Sequence, residues 1–171
     1  MKMAAERDIA ADPSAVWAAL LDPEVLKECV PGCQEMSGNA DDGFEAVVVQ
    51  KVGPVKATFK GAVTISDRVE GESLTLSGEG KGGAAGFAKG GADVRLEAIE
   101  GGTRLIYDVE AKVGGKLAQL GSRIIDGFAK KMADQFFQRF QETVEGTGDE
   151  SEDGSGESAQ KKGWLGRLTG G

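Results

Sequence analysis

The chain has 171 residues, a formal net charge of −8, a sequence pI near 4.7 and no histidine. That length suits one domain with its own core plus a tail, and an acidic chain with only 6% aromatic residues excludes the basic footprint of a nucleic-acid binder. Without histidine there is no Ser-His-Asp or Cys-His arrangement and no imidazole ligand for zinc or iron.

Residues Met1 to Ala11 read as a strand. The acidic and basic run Glu6, Arg7 and Asp8 occupies the place where a signal peptide needs an apolar stretch. No segment approaches the ~20 apolar residues of a membrane span, so a cytoplasmic location is expected. Asp12-Pro13-Ser14 opens a helix, with Asp12 as N-cap and Pro13 at the first helical position. Val16, Trp17, Leu20 and Leu21 supply its apolar side. Asp22-Pro23 starts a second short helix through Leu26, closed by Pro31-Gly32. Cys29 and Cys33 flank Val-Pro-Gly. A zinc site needs four ligands, and no second pair exists. Both are expected as small residues at a turn with free thiols, in keeping with a reducing compartment.

From Gln34 to Val113 the pattern is strands and turns. Asp41-Asp42-Gly43 is a hairpin signal. Phe44, Ala46, Val48, Gln50 and Val52 alternate with Glu45, Val47, Val49 and Lys51, and Gly53-Pro54 makes a turn. Val55 to Ile65 alternates cleanly, as do Ala92 to Ala98 and Leu105 to Val113, which marks one buried and one wet face. Between them, Gly78 to Gly91 contains a literal G-x-G-x-x-G at Gly78, Gly80 and Gly83. A phosphate-binding reading needs a strand before it and a helix after it. Here a strand follows, so the run reads as a small-residue connection between strands. A mobile loop carrying Phe87, which gates a cleft or docks on a partner, is the functional alternative.

Gly114 to Val144 reads as one helix. Leu117, Leu120, Ile124, Phe128, Met132, Phe136 and Phe140 recur at spacings of three and four and share one stripe. Such a helix is roughly 40 Å long and must lie against the β-rich chain before it. Gly121 and Gly127 each cost about 1 kcal/mol relative to alanine inside a helix. Either the sheet approaches closely there or space is left beneath. These elements give an α+β layout: a sheet curled around the helix, its interior poor in aromatics and rich in glycine, and therefore not fully filled.

Residues 146–160 change composition abruptly to Gly, Ser, Thr and acidic residues and read as a disordered linker. Its r.m.s. reach is ~20 Å and its full extension roughly 50 Å. Residues 161–171 follow. Trp164, Leu165 and Leu168 share a helical side among Lys161, Lys162 and Arg167, a short basic amphipathic segment suited to a membrane surface. Docking in a protein groove and an idle terminus are the alternatives.

Four segments together resemble the G-subunit family of carbon monoxide dehydrogenase: Asp22-Pro-Glu-Val-Leu-Lys-Glu-Cys-Val-Pro-Gly-Cys33, Val52-Gly-Pro-Val-Lys56, Gly82-Gly-Ala-Ala-Gly-Phe-Ala-Lys-Gly90 and Gly114-Gly-Lys-Leu-Ala-Gln-Leu-Gly-Ser122. The resemblance implies a START-like (SRPBCC) helix-grip fold over residues 1–145. That fold is a curved antiparallel sheet around a long C-terminal helix, with two short helices after the first strand. It implies apolar ligands held between sheet and helix. It also implies a non-catalytic partner of carbon monoxide dehydrogenase or a related molybdenum hydroxylase, bringing that enzyme to the inner face of the cell membrane. No metal or covalent cofactor is carried over.

A membrane quinone, menaquinone, is the ligand that joins an apolar cavity, a membrane-touching tail and a redox partner. The expected walls are Val48, Phe59, Leu76, Val94, Leu120, Ile124, Phe128 and Met132, with Gln50 and Tyr107 as polar handles for a quinone carbonyl. Plain core packing is the other reading of the apolar ones. Two further functional readings stand beside this one: a scaffold with a closed cavity, indifferent to filling at Gly127, and an assembly factor for the metal cofactor. An enzyme using Tyr107, Asp108, Lys112 and Asp126 for proton transfer has no spacing that groups those residues.

Overall fold

The computed structural model describes residues 1–153. Seven strands form one antiparallel sheet: β1 (Lys2–Ile9), β2 (Cys33–Asn39), β3 (Gly43–Val52), β4 (Val55–Val69), β5 (Ser73–Lys81), β6 (Phe87–Ile99) and β7 (Gly102–Gly114). Their order is β1-β7-β6-β5-β4-β3-β2, so β2 to β7 form a meander and β1 closes beside β7. Two short helices, α1 (Pro13–Leu20) and α2 (Pro23–Cys29), link β1 to β2. A four-residue helix α3 (Lys116–Gln119) and the long α4 (Ser122–Asp153) follow the sheet, and α4 packs against α1, α2, β1 and β3. This is the helix-grip arrangement.

Local chemistry accounts for the entries and exits. Pro13 and Pro23 sit in the first turns of α1 and α2, where a missing N–H costs nothing. Asp22 caps α2 by accepting from the Glu24 N–H at 2.9 Å, whereas Asp12 occupies the N-cap of α1 without a side-chain bond. The expected alternation holds along β4, where Val55, Ala57, Phe59, Gly61, Val63 and Ile65 face in and their neighbours face out. The glycine run is largely strand: β5 and β6 extend into it, and Gly82 to Gly86 makes the connection through a 3-10 turn at Gly83–Ala85.

The C-terminal half of the domain differs from the sequence expectation in two ways. The single helix expected from Gly114 to Val144 is broken. Gly121 adopts φ +89, which a side chain resists; α3 ends before it, and the Gly121 carbonyl accepts the Ile125 N–H to start α4. That break resets the helical phase, so Ile125 is buried and Ile124 is 42% exposed. At its far end α4 continues to Asp153, beyond the boundary expected at residue 145. No proline lies between Val144 and Asp153 to stop an established helix. The remainder of the expected linker, residues 154–160, and the segment 161–171 lie outside the described residues.

The core divides in two. A main cluster joins Ile9, Val16, Trp17, Leu105, Phe140 and Val144 at one end of the sheet. A smaller one joins Val52, Leu117 and Ile125 at the other. Buried Thr103 ties the main cluster to the chain entering α1, its hydroxyl donating to the Ala11 carbonyl at 2.7 Å.

The phase of α4 is testable by a pair of substitutions. Ile125→Ala is expected to cost about 2–5 kcal/mol of unfolding free energy and Ile124→Ala less than about 1 kcal/mol, measured by denaturant titration; equal or inverted costs would contradict the break at Gly121.

Candidate functional site

Inward-facing residues of neighbouring strands line up in rows across the sheet. Towards the main cluster, one row runs Leu74, Val94, Tyr107, and the next Ile65, Leu76, Ala92, Val109, Met3. Two rows of small residues come next. One is Phe44, Val63, Gly78, Gly90, Ala111; the other is Ala46, Gly61, Gly80, Ala88, Val113. Opposite them α4 presents Ala129 and Ala133 as well as larger side chains. Small residues on both sides cannot fill the gap between a sheet and a helix, whose layers interlock only when side chains interdigitate.

The result is an apolar cavity with two adjoining lobes of about 460 and 570 Å3, each within the ~300–1,000 Å3 of small-molecule sites. The first lobe lies towards α3 and is bordered by Val52, Phe59, Leu117, Ile125, Phe128 and Met132. The second lies towards the main cluster and reaches Phe44, Leu76, Val94, Tyr107 and Phe137. Val48, Phe59, Gly80, Ala88 and Phe136 border both. An added Cβ at Gly80 would meet nothing within 4 Å, so open space begins at the sheet backbone itself.

Polar groups are sparse here. Gln50 is the polar side chain of the first lobe, and its Nε2 donates to the Pro31 carbonyl. This bond clamps the α2–β2 connection against β3, where Val49 N–H also donates to the Gly32 carbonyl at 2.9 Å. One Nε2 hydrogen and the amide oxygen of Gln50 are left for other partners. Tyr107 is the inward-facing polar side chain of the second lobe. Its ring stacks on Phe137 with centroids 4.7 Å apart. Burial, with the negative charge of Asp134 second, raises the phenol pKa above its ordinary value of 10.

Of the ten residues expected to line a site, Val48, Gln50, Phe59, Phe128 and Met132 border the first lobe, and Leu76, Val94 and Tyr107 the second. Two do not. Leu120 caps α3 and packs against the Val52–Leu117–Ile125 cluster, and Ile124 turns outward beside Gly53. Gly127 is exposed with open space around it, so a side chain there leaves the cavity unfilled. Met3, Val109 and Ala133 also border the cavity; the alternation of β7 pointed to Val109, whereas Met3 and Ala133 depend on where β1 and α4 lie.

The residues considered for proton transfer are dispersed: Tyr107 faces in, while Asp108, Lys112 and Asp126 are exposed. Both cysteines are free, and burial pushes each thiol pKa up, away from the reactive thiolate. Among the described residues no group of three His, Cys, Asp or Glu is placed to hold a metal ion, and no helix is long and apolar enough to cross a membrane.

A family model described as the G subunit of carbon monoxide dehydrogenase (CoxG) matches residues 6–145. A comparison with curated proteins returns no match. A conserved protein of Geobacillus kaustophilus has 27% identity and a TM-score of 0.78, over 84% of this chain and 95% of that one. A protein of Chromobacterium violaceum has 17% identity and a TM-score of 0.63 over 84% and 97%. One of Thermus thermophilus has 15% identity and a TM-score of 0.62 over 84% and 97%. The last two speak to the fold alone.

Tyr107 is the single tyrosine, so its ionisation can be followed directly by tyrosinate absorbance. It is expected to titrate above pH 10 in the folded chain and near 10 once unfolded. The sign follows from linkage: a neutral phenol favoured by folding contributes stability that is intact below about pH 10 and lost as pH rises through the raised value. Ionisation at the same pH folded and unfolded would contradict a buried phenol.

Proposed function

Because the chain belongs to the G-subunit (CoxG) family of carbon monoxide dehydrogenase, we propose that it is a non-catalytic accessory protein that binds a membrane quinone, menaquinone, between sheet and helix and links a soluble carbon monoxide dehydrogenase, or a related molybdenum hydroxylase, to the membrane for electron transfer. The supporting observation is the two-lobed apolar cavity, whose inward polar side chains are Gln50 and Tyr107.

The chemistry suits a prenylated quinone. Its tail is too apolar to leave a bilayer unaided, and each CH2 moved from water to an apolar wall contributes about 0.8 kcal/mol. The first lobe offers such walls without a charge. Quinone carbonyls only accept hydrogen bonds, and the second Nε2 hydrogen of Gln50 and the Tyr107 hydroxyl are donors. A phenol of ordinary pKa 10 is already protonated at neutral pH, and burial raises the value further. Because Gln50 borders the first lobe and Tyr107 the second, one headgroup meets one of these handles, with the isoprenoid units along the apolar walls. Tail residues Lys161, Lys162, Trp164, Leu165, Arg167 and Leu168 supply weak, reversible membrane contact in this account, at the cytoplasmic face.

Organic extraction of the purified protein, followed by mass spectrometry, is expected to release a prenylated quinone. The double variant Gly80→Leu with Ala133→Phe puts bulk on both walls of the cavity and is expected to lose that quinone while remaining folded. Absence of quinone from the unmodified protein, with no uptake from quinone-loaded liposomes, would refute the proposal.

A further inference from the structure

The sheet has two ends of opposite charge. At one end lie the β2–β3, β4–β5 and β6–β7 turns and the C-terminus of β1. These carry Asp8, Asp41, Asp42, Glu70, Glu72 and Glu100. Three arginines of that end are paired, Arg68 with Asp41, Arg95 with Glu97 and Arg104 with Asp8 and Glu6, and Arg7 donates to the Gln141 side-chain oxygen.

At the other end lie the β3–β4 turn, the Gly82–Gly86 connection and the β7–α3 junction. Here Lys51 and Lys56 face each other across the β3–β4 turn. Lys60, Lys81 and Phe87 stand in one row on the outer face, with Lys89 and Lys112 in the row beside it. Lys116 on α3 and Arg123 at the start of α4 complete the cluster. All seven lysines and Arg123 are exposed, and none makes an ion pair among the described residues. The acids among them are Glu35, in the row of Lys60 and Lys81, Glu45 and Glu79, in the row of Lys89 and Lys112, and Asp126 and Glu110, and Glu110 is already beside Lys2 at 3.9 Å, so cations still outnumber acids here. A chain of net charge −8 thus carries a basic end.

Two of the three exposed large apolar side chains among the described residues sit at the same end. Phe87 is 43% exposed and lies over the backbone of Gly114; Ile124 is 42% exposed beside Gly53. Behind them are Val52, Leu117 and Phe59, which border the first lobe. Gly115 and Gly121, at φ +73 and +89, bracket α3 and its plug residue Leu117.

We propose that this end of the domain docks on an anionic lipid bilayer, with Phe87 and Ile124 entering the headgroup region and the lysines contacting phosphates, so that the first lobe faces the membrane. The cations spread over the β3–β4 hairpin, the outer face of the sheet and the starts of α3 and α4 instead of following one groove, which fits a planar anionic surface better than a peptide. Long lysine stems also let apolar tips reach deeper than the charges. The inference rests on the membrane reading above and gives the domain a contact of its own, distinct from the tail's. It is separable from the tail, because α4 leaves the domain at the acidic end, where Val144 packs with Ile9 and Glu145 accepts from the Ala10 N–H.

The test uses the full chain and sedimentation with vesicles of phosphatidylcholine and phosphatidylglycerol containing no quinone, so that failure here is distinct from failure of quinone binding. Trp164→Ala, Leu165→Ala and Leu168→Ala, with Lys161→Glu, Lys162→Glu and Arg167→Glu, together silence the tail. This background is expected to retain salt-sensitive binding, and adding Lys51→Glu, Lys56→Glu and Lys81→Glu to lower it at least about tenfold, since each basic residue near such a surface contributes about fivefold. Ile124→Ser is expected to weaken binding without changing its salt dependence. Complete loss of binding on silencing the tail, or binding indifferent to the lysine reversals, would overturn the proposal. So would unchanged vesicle binding accompanied by loss of binding to the purified dehydrogenase, which would assign the basic end to an acidic protein.

Discussion

Two rows across the sheet in which glycine and alanine predominate set the distance between what the sheet can offer and what α4 can reach. A sheet and a helix pack densely only when side chains from both fill the layer between them. With Gly61, Gly78, Gly80, Ala88, Gly90 and Ala111 on one side and Ala129 and Ala133 on the other, the layer stays open at mid-height. Folding then relies on what lies beyond the gap: the Ile9–Leu105–Phe140 cluster at one end and the Val52–Leu117–Ile125 cluster at the other. The helix spans a space as a beam does, supported at both ends.

The same rows leave a site defined by shape and dryness rather than by reactive groups. Outward residues carry nearly all of the sheet's charge, and the inward ones supply only Gln50 and Tyr107 as handles, each held in place by other contacts. Gln50 is held by the Pro31 carbonyl and Tyr107 by the Phe137 ring. Such a lining matches the largely apolar ligand proposed above and the accessory role of the family. Glycine has a second use at the basic end. Gly86 approaches the Gly114 backbone so closely that a Cβ on it would collide with the carbonyl, and this holds the Gly82–Gly86 connection against the start of α3.

Much of this was legible before any coordinates. Strict alternation in β4, β6 and β7 identifies the buried face, and the Asp-Pro starts of α1 and α2 place the two short helices. The resemblance of four segments to one family then supplies the topology. What the sequence left ambiguous is physical as well. Ile124 and Ile125 are both apolar, and a stripe spaced by three and four admits either; the conformation of Gly121, a tertiary matter, decides between them. Gly121 and Gly127 look alike in a helical stretch, yet one ends a helix and the other faces solvent. The cavity floor was visible only as a surplus of glycine, because rows across a sheet depend on register, and register depends on partners far away in the chain. The clustering of lysines at one end has the same origin: the cations are scattered from Lys51 to Arg123 and meet only when three turns share an edge.

Everything proposed for the site depends on open, apolar space between the small-residue rows and α4. Apolar cavities of this kind take up xenon, so the most direct measurement is diffraction from crystals of the protein under xenon pressure. The account predicts xenon atoms between Phe59 and Met132 and between Leu76 and Phe136. A map with no xenon in that layer, and with side chains from sheet and helix in contact across it, would contradict it.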